Sequence, residues 1–104
     1  MFGILNGKIL VGTFSFYQRD CDFPEDAVYL GIEIDAKNRC KGFATCAVLM
    51  SFDIAREKGY KKVFSRAAVN NIASVNLHKK CGFTIIEKTI NTKGNEVYDY
   101  VYLL

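Results

Sequence analysis

The chain has one histidine and one proline, and none of its four cysteines falls in a C-x-x-C pair. A zinc set needs more nitrogen ligands and closer sulfur pairs, so no metal site is expected. Cys21, Cys40, Cys46 and Cys81 read instead as reduced thiols of a cytoplasmic protein. No apolar run approaches the length of a bilayer span, which argues against a membrane partner. Met1 to Val11 lacks the basic start and cleavable apolar core of a secretory leader. Basic charge is not massed either. The net charge is +3, and Lys61-Lys62 and Lys79-Lys80 are isolated pairs that suit a solvated face. A nucleic-acid partner is therefore not expected.

What is present fits one small globular domain over residues 1–104, with 50% hydrophobic and 24% charged residues. Phe2 to Leu5, Asn6-Gly7 and Lys8 to Tyr17 read as a β-hairpin on a type I′ turn. Gln18 to Asp26 is polar and reads as a loop. Val28 to Ile34 is almost continuously apolar, which predicts a central strand covered on both faces, with Glu33 its one charge. Ala44, Ala47, Val48, Ser51, Ile54 and Ala55 recur at helical spacing, and Gly59 suits the C′ position. Lys62 to Ala67 is a short strand. Asn70 or Asn71 caps a second helix that runs to about Cys81 and stops at Gly82. Thr84 to Ile90 and Glu96 to Leu104 are strands joined by a turn at 91–95. The order β-β-β-α-β-α-β-β predicts an α/β protein with a mixed sheet.

Arg39-Cys40-Lys41-Gly42-Phe43-Ala44 lies where the central strand gives way to the first helix. A small-residue turn opening a helix directs unpaired backbone N–H groups at one spot, and the helix dipole makes that spot suit an anion. The same turn also serves as a tight connection with no ligand.

These turns, in this order, resemble the GNAT N-acetyltransferase superfamily. Its Q/R-x-x-G-x-G/A motif is matched by Arg39, Gly42 and Ala44. Its next motif, an asparagine opening a short helix that ends in K-x-G-F, is matched by Asn71-Ile72-Ala73-Ser74 and Lys80-Cys81-Gly82-Phe83. Residues 28–86, and Asp99-Tyr100-Val101-Tyr102 in the last strand, are similar to the branch that acetylates N-terminal amines of ribosomal proteins and small amines. The family fold normally opens with a strand and two helices, and this chain starts at about the second family strand. The resemblance thus implies a truncated GNAT acyl-CoA N-acyltransferase fold. An exposed sheet edge and an uncovered apolar face would then favour a homodimer, with the first hairpin as the contact.

The resemblance implies acetyl-CoA as co-substrate and an amine as acceptor, on a small molecule or a protein N-terminus. Its pantetheine arm would pair with the backbone of Ile32, Glu33 and Ile34. Its pyrophosphate would lie on the N–H groups of Arg39, Cys40, Lys41, Gly42, Phe43, Ala44 and Thr45. Asn71 and Ser74 would approach the arm, or simply cap their helix. Ala73, Leu77 and Cys81 form a predicted core stripe, and Asn71, Ser74 and His78 an adjacent polar one. His78 stands where relatives often carry a tyrosine that serves the leaving thiolate, which implies a general acid. As a buried strand carboxylate, Glu33 would need a partner or a raised pKa, and it is the expected base for the amine proton. Its plain alternative is a strand-end glutamate paired with a lysine. Tyr100 and Tyr102 line an acceptor pocket or pack in the sheet. Two functions follow: an N-acetyltransferase working by direct transfer, or a non-catalytic CoA-binding module.

Overall fold

The computed structural model describes residues 2–6, 8–17, 25–34 and 42–104. Six strands form one sheet with two helices: β1 (Phe2–Asn6), β2 (Ile9–Tyr17), β3 (Ala27–Ile34), α1 (Phe43–Glu57), β4 (Lys62–Ala68), α2 (Ile72–Lys80), β5 (Thr84–Ile90) and β6 (Glu96–Leu103). The sequence order of elements is the expected one. In space the strands run β1-β2-β3-β4-β6-β5. Only β3 and β4 pair in parallel, because α1 carries the chain back between them. The other neighbours are antiparallel. The hairpin register Asn6↔Ile9 is that of a two-residue link. Gly7, on which the type I′ turn depends, lies outside the described residues, as does most of the expected loop at 18–26.

One face of the sheet carries the core. Phe14, Val28, Leu30, Val63, Ala67 and Tyr100 meet Ala47, Val48, Phe52, Ala55, Cys81 and Phe83. Alternation along each strand puts every second side chain on that face, and the apolar stripe of α1 lies over it. Phe52 is the centre: it stacks on Tyr102 at 3.9 Å between ring centroids and leans on Phe83 at 5.5 Å. Burying a side chain of this size contributes about 2–3 kcal/mol. Ser51 is buried with it, and its hydroxyl donates to the Val48 carbonyl within the helix.

Both helices end alike. In α1 the Gly59 N–H donates to the Arg56 carbonyl and the Tyr60 N–H to that of Ala55. In α2 the Gly82 N–H donates to Lys79 and the Phe83 N–H to His78. This is the Schellman closure, and a glycine at positive φ makes it possible in each case.

Two expectations need correction. Coverage of β3 on both faces holds for Ala27 to Leu30 only; Gly31 and Ile32 are half-buried and Glu33 is exposed. The cause is that β3 loses β4 as a neighbour after Tyr29. The expected core stripe of α2, Ala73, Leu77 and Cys81, holds at Leu77 and Cys81 but not at Ala73, and His78 joins it. Ala73 is exposed, while His78 and Cys81 are buried. Polarity suggested an outward histidine, but both its ring nitrogens find partners inside, which removes the cost of burying them.

Candidate active site

The parallel pair β3–β4 is short. Ala27, Val28 and Tyr29 lie opposite Lys62, Val63 and Phe64, and there the ladder stops. β4 continues beside β6 as far as Ala68↔Val97, and β3 continues beside β2 as far as Ile34↔Gly12. The two central strands therefore part like a fork at the level of Leu30 and Ser65. From Leu30 to Ile34, no strand among the described residues bonds to the backbone edge of β3 on the β4 side. Such an edge accepts an extended chain as a strand would.

The fork opens toward the C-terminal end of β3, the end at which α1 starts, since α1 runs back antiparallel to the strands. At that start Gly42 is the N-cap, with φ 83 and no side-chain cap bond. A Cβ at Gly42 would meet nothing within 4 Å, so the backbone conformation rather than space demands glycine. The first helical bond is from the Cys46 N–H to the Gly42 carbonyl, at 3.1 Å. The N–H groups of Phe43, Ala44 and Thr45 have no intrahelical partner. The first turn holds no acidic residue to oppose an anion. Arg39, Cys40 and Lys41, the first half of the expected cradle, lie outside the described residues.

α2 begins differently. Asn71 is its N-cap, and its Oδ1 accepts the Ser74 N–H at 3.2 Å. The capping role is thus what the structure shows for Asn71, and it leaves the side-chain NH2 for other use. Asn71 is exposed and Ser74 half-buried.

Glu33 sits on the open part of β3 opposite Thr13, exposed and on the face away from Val28 and Leu30. The expectation of a buried carboxylate is corrected: β4 has parted from β3 at this level, and Glu33 is exposed.

His78 lies inside. It is 4% exposed and stacks on Tyr100 at 4.2 Å, with Phe83 at 5.0 Å. Its Nδ1 is 2.7 Å from the Ser74 carbonyl oxygen and its Nε2 is 2.8 Å from Ser65 Oγ. A carbonyl only accepts, so Nδ1 carries the proton and, in the neutral ring, Nε2 is bare. Burial pushes the imidazole pKa below its ordinary 6.5, partly opposed by the Ser74 carbonyl, so the neutral ring is favoured. Ser65 Oγ also lies 3.4 Å from the Leu30 carbonyl. A hydroxyl has one proton, and with Nε2 bare the shorter contact takes it. The Ser74–His78–Ser65 chain therefore ends at the fork itself. As the expected general acid, His78 would need a proton on Nε2, which only the disfavoured imidazolium has.

Sequence reading missed Ser65, a small polar residue in an otherwise ordinary strand. It also missed Arg66 and Asp99, which pair across β4 and β6 on the opposite face of the sheet. The Arg66 guanidinium donates to both Asp99 oxygens at 2.7 and 3.2 Å, and this raises its already high pKa. Residues of both signs at period two on separate strands give no local signal of pairing. No group of three or more metal-binding side chains occurs among the described residues.

Known proteins place this arrangement. A chimera of the spermidine N-acetyltransferase SpeG from Vibrio cholerae and hSSAT superposes with a TM-score of 0.83 at 21% identity, over 97% of this chain and 66% of that one. The structure of yncA from Salmonella typhimurium with its cofactor acetyl-CoA gives 0.84 at 20% identity, over 93% and 60%. A ribosomal-protein-alanine N-acetyltransferase from Brucella melitensis gives 0.88 at 16% identity, over 98% and 67%. At such identities the likeness is one of fold. The chain spans about two thirds or less of the SpeG chimera and of yncA. No match was found among curated proteins. The family model for the acetyltransferase (GNAT) domain matches residues 1–84, which together with the forked sheet makes this chain a member of the GNAT acetyltransferases.

Proposed function

We propose that the chain binds acetyl-CoA in the fork and moves its acetyl group directly to an amine. The observation that carries this is the parting of β3 and β4 next to a helix start without a side-chain cap. The pantetheine amides would bond to the free edge of β3 at Ile32, Glu33 and Ile34. The pyrophosphate would sit on the N–H groups of Phe43, Ala44 and Thr45, with Arg39, Cys40, Lys41 and Gly42 completing the turn. Asn71 and Ser74 would border the arm from α2.

When bound, acetyl-CoA supplies an activated acyl group and a thiolate leaving group. The protein's part is to place the thioester and keep water from it. A lysine-like acceptor with a pKa of about 10.4 is mostly protonated at neutral pH and must shed a proton before attack. Glu33, exposed beside the fork, is the carboxylate we assign to that proton, directly or through water. A backbone N–H of β3 would polarise the thioester carbonyl. His78 stands behind the fork and holds Ser65 toward it.

We place the protein in the cytoplasm, where thiols such as Cys46 and Cys81 stay free. No helix among the described residues is long and apolar enough to cross a membrane. We also propose a homodimer through the β1–β2 edge, where Leu5 and Leu10 are more than half exposed. A strictly monomeric hydrodynamic mass at micromolar concentration would argue against that pairing.

The test of function is calorimetric titration with acetyl-CoA, then a screen of polyamines and peptide N-termini followed by free-thiol release. Saturable binding with acceptor-dependent release is expected. Binding with no release from any amine would favour the CoA-binding module, and no binding would overturn both.

A further inference from the structure

A serine hydroxyl is a weak nucleophile until a base takes its proton, and the base works best when a third group holds its ring. Ser65, His78 and the Ser74 carbonyl stand in that relation. Ser65 Oγ is 2.8 Å from His78 Nε2, and His78 Nδ1 is 2.7 Å from the carbonyl oxygen. The carbonyl fixes the tautomer, so Nε2 is bare and faces the hydroxyl. Tyr100 and Phe83 pack on the imidazole at 4.2 and 5.0 Å between ring centroids and hold it in place. Tyr100 packs there without bonding to the pair: its hydroxyl is buried with no hydrogen-bond partner among the described residues.

The place of the pair gives it a use. The last rung of the β3–β4 ladder is Tyr29↔Phe64, and Ser65 is the next residue of β4. Its Oγ lies 3.4 Å from the carbonyl of Leu30, the first residue of the open edge of β3. The nucleophile, its base and the strand edge assigned to the thioester arm therefore meet at the root of the fork. Burial lowers the imidazole pKa and keeps the ring in the neutral form that can accept a proton. Ser65 is itself 4% exposed, which shields an ester formed there from bulk water. A serine that only satisfies a buried ring would leave acetyl-CoA untouched.

We infer that Ser65 is a second acetyl acceptor in the fork: when no amine is present, its Oγ takes the acetyl group from acetyl-CoA with His78 as the base. This rests on the proposed binding of acetyl-CoA there. Oγ forms a bond to the thioester carbon while its proton passes to His78 Nε2. The carbon–sulfur bond breaks with its electron pair going to sulfur, and the imidazolium gives the proton to that sulfur. The products are acetyl-Ser65, neutral His78 and free CoA. Transfer from a thioester to an oxygen ester runs downhill, so no further reagent is needed. Water reaching the ester later attacks its carbonyl carbon and gives a proton to Nε2. That proton passes on to Oγ as acetate leaves and the serine is restored.

The test saturates the chain with acetyl-CoA at pH 8 without any amine, quenches in acid and measures the intact mass. The wild type should release thiol and gain one acetyl group, which fragmentation places on Ser65. Where water removes the ester as fast as it forms, the same chemistry shows as acetyl-CoA hydrolysis that Ser65→Ala abolishes. His78→Gln should slow thiol release by about 10²-fold, the scale of losing one general base. Ser65→Cys keeps a nucleophile of the same shape and should take up the group again, as a thioester that hydroxylamine cleaves. Calorimetric titration of each protein with acetyl-CoA separates chemistry from binding. A wild type that binds acetyl-CoA but neither acetylates Ser65 nor hydrolyses the thioester would overturn the inference and leave the binding in the fork standing. Equal rates in the wild type and His78→Gln would overturn it too. If the wild type does not bind acetyl-CoA, the reading of the fork falls, and this inference with it.

Discussion

The two helices end the same way and begin in opposite ways. At their C-termini both close with a glycine at positive φ and the same pair of backbone bonds. At its N-terminus α2 takes up one of its own donors: Asn71 Oδ1 accepts the Ser74 N–H. α1 has Gly42 there, with no side chain to offer. Asparagine, serine and aspartate are the ordinary caps, and each would bring an oxygen into the space in front of α1. Glycine keeps that space clear and turns the chain through a left-handed conformation. The difference teaches which helix start is built for itself and which is left for something else. The sheet repeats the contrast, because β4 is paired to β6 along its length while β3, beyond Tyr29, has no strand on its β4 side among the described residues.

The sharpest way to break the comparison is to give α1 what α2 has. Gly42→Glu places a carboxylate on the N–H groups of α1 and forces a side chain into φ 83. Acetyl-CoA affinity should fall by at least about 10²-fold, as a fixed negative charge competes with the pyrophosphate. The strain alone costs about 1–2 kcal/mol of stability, so a control is needed. Gly42→Asn tolerates the left-handed conformation and adds no charge. It should fold normally and lose far less affinity in the same titration.

The second change acts behind α2. His78→Gln retains polar ends for Ser65 and for the Ser74 carbonyl, but it does not titrate. Because burial lowers the folded pKa of His78, the folded state binds fewer protons than the unfolded one below the ordinary pKa of 6.5. Its stabilising effect is therefore complete above pH 6.5 and declines as pH falls from there toward the lowered value. The slope from this one group is at most about 1.4 kcal/mol per pH unit. The groups packed on it, Tyr100, Phe83 and Ser65, do not titrate in that window. Chemical denaturation at pH 7.5, 6.5 and 5.5 should show a shallower loss in the glutamine variant than in the wild type.

The smallest effect is expected at Asn71. Asn71→Ala removes the cap of α2, which should lower stability by about 1 kcal/mol in urea denaturation. If acetyl-CoA affinity then changes by less than about twofold, Asn71 serves the helix alone. A larger loss would show that its free NH2 reaches the ligand as well.

The element order and both helices were legible in the sequence because each carries its own local punctuation. Asn71, Gly59 and Gly82 mark helix ends, and the apolar run of β3 marks a strand. The GNAT likeness rested on Arg39, Gly42, Ala44, Asn71 and the Gly82-Phe83 pair, and the family assignment bears it out. What the sequence did not show depends on contacts between distant segments. His78 read as a general acid on the polar stripe of α2, and its burial was not legible because its partners are a backbone carbonyl one turn back and Ser65 on β4. Glu33 looked buried because a continuous apolar run implies two covered faces, and no sequence pattern marks the point at which β4 diverges. The unpaired Tyr100 hydroxyl belongs to the same class: a tyrosine amid strand residues reads as packing until its neighbours are known.

The central claim is that the free edge of β3 and the uncapped start of α1 together hold acetyl-CoA. Backbone amide NMR during titration with acetyl-CoA tests it most directly. The largest shifts are expected at Leu30 to Ile34 and at Phe43, Ala44 and Thr45, with β6 beyond Tyr100 and the β5 edge little moved. Saturable shifts confined to the β5 edge or the 91–95 turn, with β3 and the start of α1 unmoved, would contradict it.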